Sequence, residues 1–269
     1  GAAVIQAHSA GMHQDRIRIK DALLEVMNDE LSAVYYKGMT SGDGKSASEY
    51  LHGMGAVPHV VLENGNKFQV DWETGQKTGF FLDQRENRHL LGTLVNGRSV
   101  LNTFCYTGGF SVYALRGGAK LVHSIDASER AVGLARNNII LNGFDAETHA
   151  CFVGDTFDFL KDKKDTYDII ILDPPAFAKH KDARHQAMKG YQRLNAEALR
   201  VIRRGGILFT FSCSQVVDRQ LFYDTVVSAA IQAGREAKIL YQLCQPPDHP
   251  VSMYHPEGEY LKGLVVYVN

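Results

Sequence analysis

Short apolar runs recur along the second part of the chain, and helical stretches of mixed polarity separate most of them. Seven runs have the length and composition of buried strands: RSVLNTF, KLVHSID, HACFVGD, YDIIILD, ILFTFSC, EAKILYQL and YLKGLVVYV. Helical patterns occur in GGFSVYALRGG, SERAVGLARNNIILNG, GYQRLNAEALRVIRRGG and DRQLFYDTVVSAAIQAG. Strands without polar alternation are covered on both faces, so we predict an open, mostly parallel α/β sheet of seven strands. No helix separates the last two runs, so we expect one of them to pair antiparallel at the edge.

The first part of the chain has a different pattern. AVIQAH is typical of a strand, and HQDRIRIKDALLEVMND is an amphipathic helix with Ile17, Leu23 and Met27 near helical spacing. HVVLENGNKFQVDW alternates on both sides of Asn64-Gly65, which indicates a β-hairpin because this pair accepts a positive φ. A loop rich in Gly and Ser, residues 41–55, lies between these elements. We therefore predict a small α+β domain over residues 1–74 and the α/β domain over residues 75–269.

Composition narrows the functional class only slightly. The 269 residues are 45% hydrophobic and 22% charged, and the net charge of −1 gives no overall basic field for nucleic acid. The four cysteines, Cys105, Cys151, Cys213 and Cys244, are scattered without metal-ligand spacing, so we expect reduced thiols and no metal site. No apolar run has the length of a membrane span, and the first residues lack the pattern of a signal peptide. A cytoplasmic protein is the expectation.

Polar residues follow the predicted strands where a ligand is expected. Ligands of such sheets bind at the carboxyl ends of the strands. The first strand leads into a turn with Gly108 before a helix, and the next three end on Asp126, Asp155 and Asp173. Each feature alone has an ordinary explanation as a turn or a helix cap. Together they predict a cofactor that contains a nucleoside, with Asp126 accepting the ribose hydroxyl groups.

The sequence of the turn after the first strand discriminates between two candidate cofactors. Residues 105–109 read CYTGG and lack the GxGxxG pattern that brings the backbone close to a pyrophosphate. An acidic ring at the strand ends also suits a cationic ligand better than an anionic one. The sequence therefore favours S-adenosylmethionine over NAD. The predicted contacts in the turn and at the strand ends are Phe104, Tyr106, Thr107, Gly108, Asp126, Asp155 and Asp173.

Several long motifs resemble one known family. GQKTGFFLDQRENR, VLNTFCYTGGFSVYAL, DPPAFAK, FTFSCSQ and QPPDHPVSMYHPEGEYLKG resemble the bacterial 23S ribosomal RNA 5-methylcytosine methyltransferases of the large-subunit methyltransferase I type. The resemblance covers nearly the whole chain. It implies a class I, Rossmann-like, S-adenosylmethionine-dependent methyltransferase behind a small α+β domain, with large-subunit ribosomal RNA as its partner. It also implies an RNA-binding PUA-like domain ahead of that segment, and this sequence begins after the point where such a domain would end.

Methylation of cytosine carbon 5 gives the cysteine at the end of the fifth strand a chemical role. Carbon 5 becomes nucleophilic when a thiolate adds to carbon 6, so we assign Cys213 as the nucleophile, with Ser212 and Ser214 as flanking hydroxyl groups. The alternative is a buried structural cysteine, and Cys105 is the competing thiol. Asp173 is expected to bind the base and to assist protonation at nitrogen 3.

Other substrate and cofactor contacts are expected around these residues. Pro174 fixes the backbone after Asp173, and Phe177 is a candidate for stacking on a base taken out of its helix. The basic stretch 178–193, whose first basic residue is Lys179, is a candidate phosphate contact or simply a solvated loop. The segment KTGFFLDQR is expected to act as a lid over the cofactor or as a joining segment; its candidate cofactor contacts are Phe80, Gln84 and Arg85. The base that removes the carbon 5 proton is left open between Asp248, His249, His255 and Glu259.

Three other functions compete with this interpretation. A ribosomal methyltransferase acting on guanine nitrogen 7 needs no thiol, because the ring nitrogen already has a lone pair. An RNA-binding module without catalysis is disfavoured by the presence of Asp126, Asp173 and Cys213. An NAD-dependent oxidoreductase is disfavoured by the missing glycine pattern. A homodimer is left open.

Overall fold

The computed structural model describes residues 1–38, 48–144, 147–178 and 180–269, without the side chains of Asp29 and Lys181. These residues form two compact units. The first comprises residues 1–63 and 67–81, and the second comprises residues 64–66 and 82–269. The predicted boundary between residues 74 and 75 falls inside the first unit, which extends to residue 81, and the two-domain division stays a prediction.

The first unit contains two helices, a three-stranded sheet and a hairpin. The elements are β1 (Ala2–Gln6), α1 (Ala10–Gln14), α2 (Arg16–Met27), β2 (Ala33–Lys37), β3 (Glu49–Gly53), β4 (His59–Glu63) and β5 (Asn66–Val70). Strand β2 pairs parallel with β1 and antiparallel with β3, and β4 pairs with β5. Tyr36, Phe68 and Trp72 are buried.

The predicted first strand and hairpin are confirmed, whereas the predicted helix is interrupted. Asn64 and Gly65 both have positive φ, as a tight hairpin turn requires. Helix formation starts earlier than expected, because the Ser9 side chain accepts a hydrogen bond from the backbone N–H of Met12 and caps α1. Strand β2 was not predicted. The predicted loop over residues 41–55 is wrong where β3 forms, and residues 41–47 of it lie outside the described part of the chain.

The second unit contains the seven-stranded sheet predicted from the apolar runs. Its strands are β6 (Ser99–Thr103), β7 (Leu121–Asp126), β8 (His149–Val153), β9 (Ile169–Leu172), β10 (Gly206–Ser212), β11 (Ala237–Leu243) and β12 (Lys262–Val268). Its helices are α3 (Arg85–Leu94), α4 (Gly109–Arg116), α5 (Glu129–Leu141), α6 (Thr156–Leu160), α7 (Arg184–Val201) and α8 (Arg219–Ala233). The strand order is β11-β12-β10-β9-β6-β7-β8. The α/β prediction is confirmed.

The strand that runs against the others lies inside the sheet. Strand β12 pairs antiparallel with β10 on one side and with β11 on the other. The expected antiparallel pair therefore exists at the edge, but the edge strand β11 runs in the same direction as the five parallel strands. Because β12 is inserted beside β10, its first residue, Lys262, pairs with Ser212 at the carboxyl end of β10.

The topology marks one place on the sheet as the ligand site. The chain proceeds from β6 outward through β7 and β8, and then returns to the other side of β6 with β9. Ligands of open α/β sheets bind at such a reversal, outside the carboxyl ends of the strands. The turns after β6 and β9 border this point, and β7 and β10 are the next strands on either side. Among the helices of the described residues, none has the length and hydropathy needed to cross a membrane.

Candidate active site

The turn after β6 has an unusual backbone. Phe104, Tyr106 and Gly108 all have positive φ, at 54°, 46° and 75°. Residues other than glycine rarely adopt positive φ angles, so the fold around the turn must hold this backbone conformation in place. A Cβ atom at Gly108 would lie 2.9 Å from the Cβ of Ala135 on α5. Glycine is therefore required here both by the backbone angle and by the close approach of α5.

Two polar side chains hold this turn. The Asp126 carboxylate accepts the backbone N–H of Tyr106 at 3.0 Å and that of Ser128 at 2.9 Å. The buried Asn138 donates from its side-chain nitrogen to the carbonyl oxygen of Thr107 at 2.9 Å. Each carboxylate oxygen of Asp126 has a second lone pair, so hydroxyl groups of a ligand can still donate to it. The sequence predicted Asp126 but not Asn138.

Asp155 combines an exposed position with a local structural role. It caps α6, and its carboxylate accepts the backbone N–H groups of Phe157 at 2.8 Å and Asp158 at 3.1 Å. The helix-cap explanation therefore holds for this residue. Its cofactor contact stays a prediction.

The segment after β9 approaches the segment after β10. Asp173 follows β9 directly and is half-buried, and Pro174 is buried. The ring centroid of the half-buried Phe177 lies 4.5 Å from that of Tyr191 on α7. The Ser214 hydroxyl donates to the carbonyl oxygen of Ala178 at 2.8 Å. The Asp173 segment and the Cys213 segment are thus joined by a direct hydrogen bond.

Cys213 is half-buried and lies one residue beyond the end of β10. Both flanking hydroxyl groups hydrogen-bond within the chain, and their expected role toward the thiolate stays a prediction. The hydroxyl hydrogen of Ser214 is committed to Ala178, and the hydroxyl oxygen of Ser212 accepts the backbone N–H of Ser214 at 3.4 Å. Helix α8 begins only at Arg219. These hydroxyl groups therefore shape the loop around the thiol.

The competing thiol, Cys105, is in a poor environment for a nucleophile. Burial raises the pKa of Cys105 well above its usual range, and the nearby Asp126 charge raises it further. Burial also raises the pKa of Cys151, to about 11. A thiol with a raised pKa is rarely ionised at neutral pH, so both residues fit a packing role. Cys244 is exposed.

Lys262 is a buried lysine beside Cys213, and the sequence prediction missed it. Only 3% of its surface is exposed, and its Nζ donates to the carbonyl oxygens of Ser214 at 2.6 Å and Tyr260 at 2.7 Å. Burial lowers the pKa of Lys262 to about 8, although the nearby Cys213 and Glu259 charges oppose this shift. The signal in the sequence was a lysine at the start of the apolar run YLKGLVVYV.

The segment before α3 is connected to the segment before β12. The Tyr260 hydroxyl donates to Asp83 Oδ2 at 2.7 Å. Asp83 is buried, and its Oδ1 has no hydrogen-bond partner within the described part of the chain. Burial raises the pKa of Tyr260, and Asp83 raises it further, so the phenol stays protonated. The sequence prediction did not include Asp83 or Tyr260.

The predicted lid residues occupy different environments. The side chain of Gln84 is buried and accepts a hydrogen bond from Asn87 at 2.7 Å. The Arg85 guanidinium forms an ion pair with Asp248 at 2.5 Å. Phe80 belongs to the first unit, where its ring centroid lies 4.8 Å from that of Phe68. Their cofactor contacts stay predictions, and Lys179 lies outside the described residues.

The sequence matches a family model. Residues 40–257 match the model for the S-adenosylmethionine-dependent methyltransferases. This segment includes the turn after β6, the Asp173 segment and Cys213.

Curated relatives have consistent names. The chain is 45% identical over 222 residues to "Ribosomal RNA large subunit methyltransferase I" of Shewanella amazonensis, covering 81% of this chain and 56% of that relative. It is 40% identical over 273 residues to the protein of the same name from Alteromonas mediterranea, covering 99% of this chain and 68% of the relative. The chain thus spans between about half and two thirds of the length of these relatives.

Solved structures share the fold. The structure of SMU.776, assigned as a methyltransferase and solved in complex with SAH, superposes with a TM-score of 0.87 at 28% identity, covering 99% of this chain and 69% of that one. Trm5b from Pyrococcus abyssi superposes with a TM-score of 0.74 at 18% identity, covering 100% of this chain and 73% of that one. The second likeness concerns the fold alone.

Proposed function

Because the chain belongs to the family of S-adenosylmethionine-dependent methyltransferases, we propose that it methylates carbon 5 of a cytosine in large-subunit ribosomal RNA through a covalent adduct of Cys213. The names of the curated relatives support the RNA substrate. One observation carries the proposed chemistry. The half-buried Cys213 follows β10 at the ligand edge of the sheet, and Ser214 ties it to the segment that contains Asp173.

The residues at the strand ends fit S-adenosylmethionine, which carries a sulfonium, an ammonium group, a carboxylate and a ribose. Asp126 has lone pairs left for the ribose hydroxyl groups after it accepts two backbone N–H groups. The unpartnered oxygen of the buried Asp83 fits a cationic group. Gly108 keeps the turn compact beneath the ligand. When bound, the cofactor supplies an electrophilic methyl group.

The other proposed cofactor contacts surround this centre. Phe104, Tyr106 and Thr107 line the turn, and Asp155 and Asp173 extend the acidic edge toward either side. Arg85 is the proposed partner of the cofactor carboxylate, which would share the guanidinium with Asp248.

Cys213 makes the cytosine ring reactive. Its thiol gives its proton to solvent, and the thiolate then forms a bond to carbon 6 while the C5–C6 double bond opens. Asp173 delivers a proton to nitrogen 3 as this bond forms, which neutralises the ring. The electron pair of the resulting enamine is available at carbon 5. A direct attack by the unactivated ring lacks this electron density, which is why a nucleophilic thiol is required.

The product forms by reversal of the thiol addition. Carbon 5 takes the methyl carbon as the carbon–sulfur bond of the cofactor breaks and its electron pair stays on sulfur. A base then removes the proton from carbon 5, the C5–C6 double bond reforms, and the thiolate leaves carbon 6. Asp173 recovers its proton from nitrogen 3. The net change is one methyl group for one hydrogen at carbon 5.

The residues around Asp173 are proposed to bind the base. Pro174 is buried and restricts the backbone after the carboxylate. Phe177 already contacts Tyr191 with one side of its ring, so a base is proposed to use its remaining surface. Lys179 is proposed to contact a phosphate.

The test is methyl transfer from tritiated S-adenosylmethionine to an unmodified transcript of large-subunit ribosomal RNA. We compare the wild-type protein with Cys213→Ala, Cys213→Ser and the control Cys244→Ser. We expect label in 5-methylcytosine with the wild type and the control, and none with either Cys213 variant. Normal methylation by the Cys213 variants, or label in 7-methylguanine, would contradict the proposal.

A further inference from the structure

We infer that Lys262 is a positioning residue whose buried ammonium group stabilises the thiolate form of Cys213. The inference rests on the proposed role of Cys213 as the nucleophile. Lys262 is assigned no contact with the RNA or with the cofactor. It acts through the neighbouring thiol.

The fold fixes the ammonium group beside the nucleophile segment. Lys262 pairs with Ser212 in the β10–β12 register, so it lies opposite the residue that precedes Cys213. Its Nζ donates to the carbonyl oxygen of Ser214, the residue that follows Cys213. A second hydrogen bond, to the carbonyl oxygen of Tyr260, restrains the side chain from the segment just before its own strand. Lys262 thus contacts the backbone on both sides of the thiol. Its backbone pairs with Ser212, and its side chain binds the carbonyl group of Ser214.

A lysine buried this deeply requires an electrostatic compensation. Lysine is rarely fully buried unless it is paired, because desolvation of the ammonium group is unfavourable. Burial lowers the pKa of Lys262 to about 8, and the largest opposing influence is negative charge on Cys213. The two groups therefore favour each other's ionised form. A positive charge that stabilises a thiolate also lowers the pKa of the thiol.

Other charged groups face Lys262 from the elements around it. Asp218 and Glu259 favour its charged form, whereas Arg219 opposes it. Arg219 also forms an ion pair with Glu259, so part of this charge cancels locally. On the side of the thiol, Tyr191, Tyr260 and Asp173 are further titratable groups, and the charges of Asp83 and Asp248 act on Tyr260.

The tyrosines near the thiol are uncharged at physiological pH. Burial raises the pKa of Tyr191 to about 12, so this phenol is neutral at physiological pH. Burial also raises the pKa of Tyr260. Among the groups named here, Lys262 is the cation that contacts the backbone next to Cys213.

Two cavities border the Lys262 side chain. A cavity of about 310 Å³ is lined by Gln215, Asp218, Arg219, Glu259 and Lys262, among others. A smaller cavity of about 130 Å³, lined by Tyr223, Gln242 and Gly263, also reaches Lys262. This space next to the side chain is the reason to expect that a longer arginine is accepted at position 262.

The test measures the ionisation of Cys213 itself. We follow alkylation by iodoacetamide from pH 5 to pH 10 and quantify the tryptic peptide of residues 205–219, whose one cysteine is Cys213. The exposed Cys244, read from its own peptide, is the internal control. The proteins are the wild type, Lys262→Met, Lys262→Gln and Lys262→Arg. Glutamine keeps a donor for the Ser214 carbonyl but has no charge, whereas arginine keeps the charge.

We expect the midpoint of Cys213 alkylation to rise by about one pH unit or more in the two neutral variants. The rate at pH 7 should fall about threefold to tenfold, because the smaller thiolate fraction is partly offset by a more basic thiolate. Arginine should restore most of the wild-type midpoint, and Cys244 should alkylate at the same rate in all four proteins.

Two results would overturn the inference. One is an unchanged Cys213 midpoint in a folded neutral variant. The other is an equal shift in the arginine variant, which would indicate a merely structural role for the side chain. If methionine prevents folding, the glutamine and arginine variants still decide the question. Failure of the proposed catalytic function is a separate result: Cys213→Ala would then methylate RNA normally, while the alkylation profiles would still report the influence of Lys262 on the thiol.

Discussion

The hydroxyl group of Ser214 donates a hydrogen bond of 2.8 Å to the carbonyl oxygen of Ala178 and so connects two segments that are far apart in the chain. One segment follows β9 and contains Asp173. The other follows β10 and contains Cys213. Two strands that are neighbours in the sheet deliver these segments to the same edge, and the hydrogen bond fixes how closely they approach.

We predict that Ser214→Ala lowers both the rate of methyl transfer and the stability of the protein. Loss of the hydroxyl leaves the buried Ala178 carbonyl without its partner, which costs about 1–3 kcal/mol in the free energy of unfolding. Because the lost bond lies between the two proposed catalytic residues, kcat should fall at least about tenfold. Urea unfolding and single-turnover methyl transfer measure the two effects.

Ser228→Ala is the matched control for this change. Its hydroxyl also donates to a carbonyl oxygen, that of Asp224 at 2.8 Å, but on the exposed side of α8. This variant should change neither quantity appreciably. A Ser214→Ala protein with wild-type kcat would show that the spacing of the two segments does not depend on the bond.

RNA containing 5-fluorocytidine should trap Cys213. After methyl transfer the intermediate carries fluorine instead of hydrogen at carbon 5, and a base cannot remove fluorine as a cation. The thiol therefore remains attached to carbon 6, and a complex stable to denaturation should form. Mass spectrometry of the digested complex should locate the RNA adduct on residues 205–219.

The trap also discriminates between the cysteines. Cys213→Ala should form no stable complex, whereas Cys105→Ala should form it as the wild type does, because burial raises the pKa of Cys105 and disfavours its thiolate. An adduct on the peptide that contains Cys105 would reverse the assignment of the nucleophile.

Gly108→Ala should weaken cofactor binding strongly. Alanine at a φ of 75° is strained by about 1–2 kcal/mol, and its methyl group would also lie 2.9 Å from Ala135. Gly143→Ala is the control, because Gly143 has a φ of 80° and no atom within 4 Å of the added Cβ. Both variants should lose stability through backbone strain.

Isothermal titration calorimetry with S-adenosylmethionine compares the cofactor affinities of the two variants. The dissociation constant should rise at least about tenfold for Gly108→Ala and stay near the wild-type value for Gly143→Ala. Equal affinities in the two variants would mean that the turn after β6 is not part of the cofactor site.

The buried His149 should make the protein less stable in mild acid. Burial lowers the pKa of His149 from 6.5 to about 4, so the unfolded chain binds its proton first as the pH falls. Stability is therefore unaffected by this group above about pH 6.5 and decreases between about pH 6.5 and pH 4. The full effect is about 3 kcal/mol. Urea unfolding at pH 7, 6 and 5 measures it.

The variant His149→Gln isolates this contribution from that of the carboxyl groups. Glutamine does not titrate, so the difference in unfolding free energy between wild type and variant should shrink or change sign as the pH falls. A constant difference for His149→Gln would contradict the buried, neutral state of the imidazole.

Buried apolar runs made the strands of the α/β unit predictable, because burial on both faces leaves a strong signal in the sequence. The position of β12 between β10 and β11 had no comparable signal, since strand order depends on pairings between distant segments. Strand β2, AVYYK, and helix α3 were missed because each is short and their tertiary environment decides their structure.

The predicted site residues were those whose position at a strand end is itself a signal, such as Asp126 and Asp173. In the sequence, Asn138 could not be distinguished from its neighbour Asn137. The structure buries Asn138 under the turn after β6 and exposes Asn137. Lys262 was overlooked because a lysine near a strand end usually reaches solvent. Its role depends on β12 lying beside β10, which only the three-dimensional arrangement reveals.

The insertion of β12 beside β10 also sets an order of assembly during synthesis. A nascent chain that has emerged from the ribosome only as far as β11 already contains Cys213, but the edge of β10 is unpaired and Lys262 is still missing. Strand β12 closes that edge and brings the ammonium group to the thiol in one step. Cys213, the proposed nucleophile, is therefore expected to gain the stabilisation inferred for Lys262 only after every other strand of the sheet has been translated.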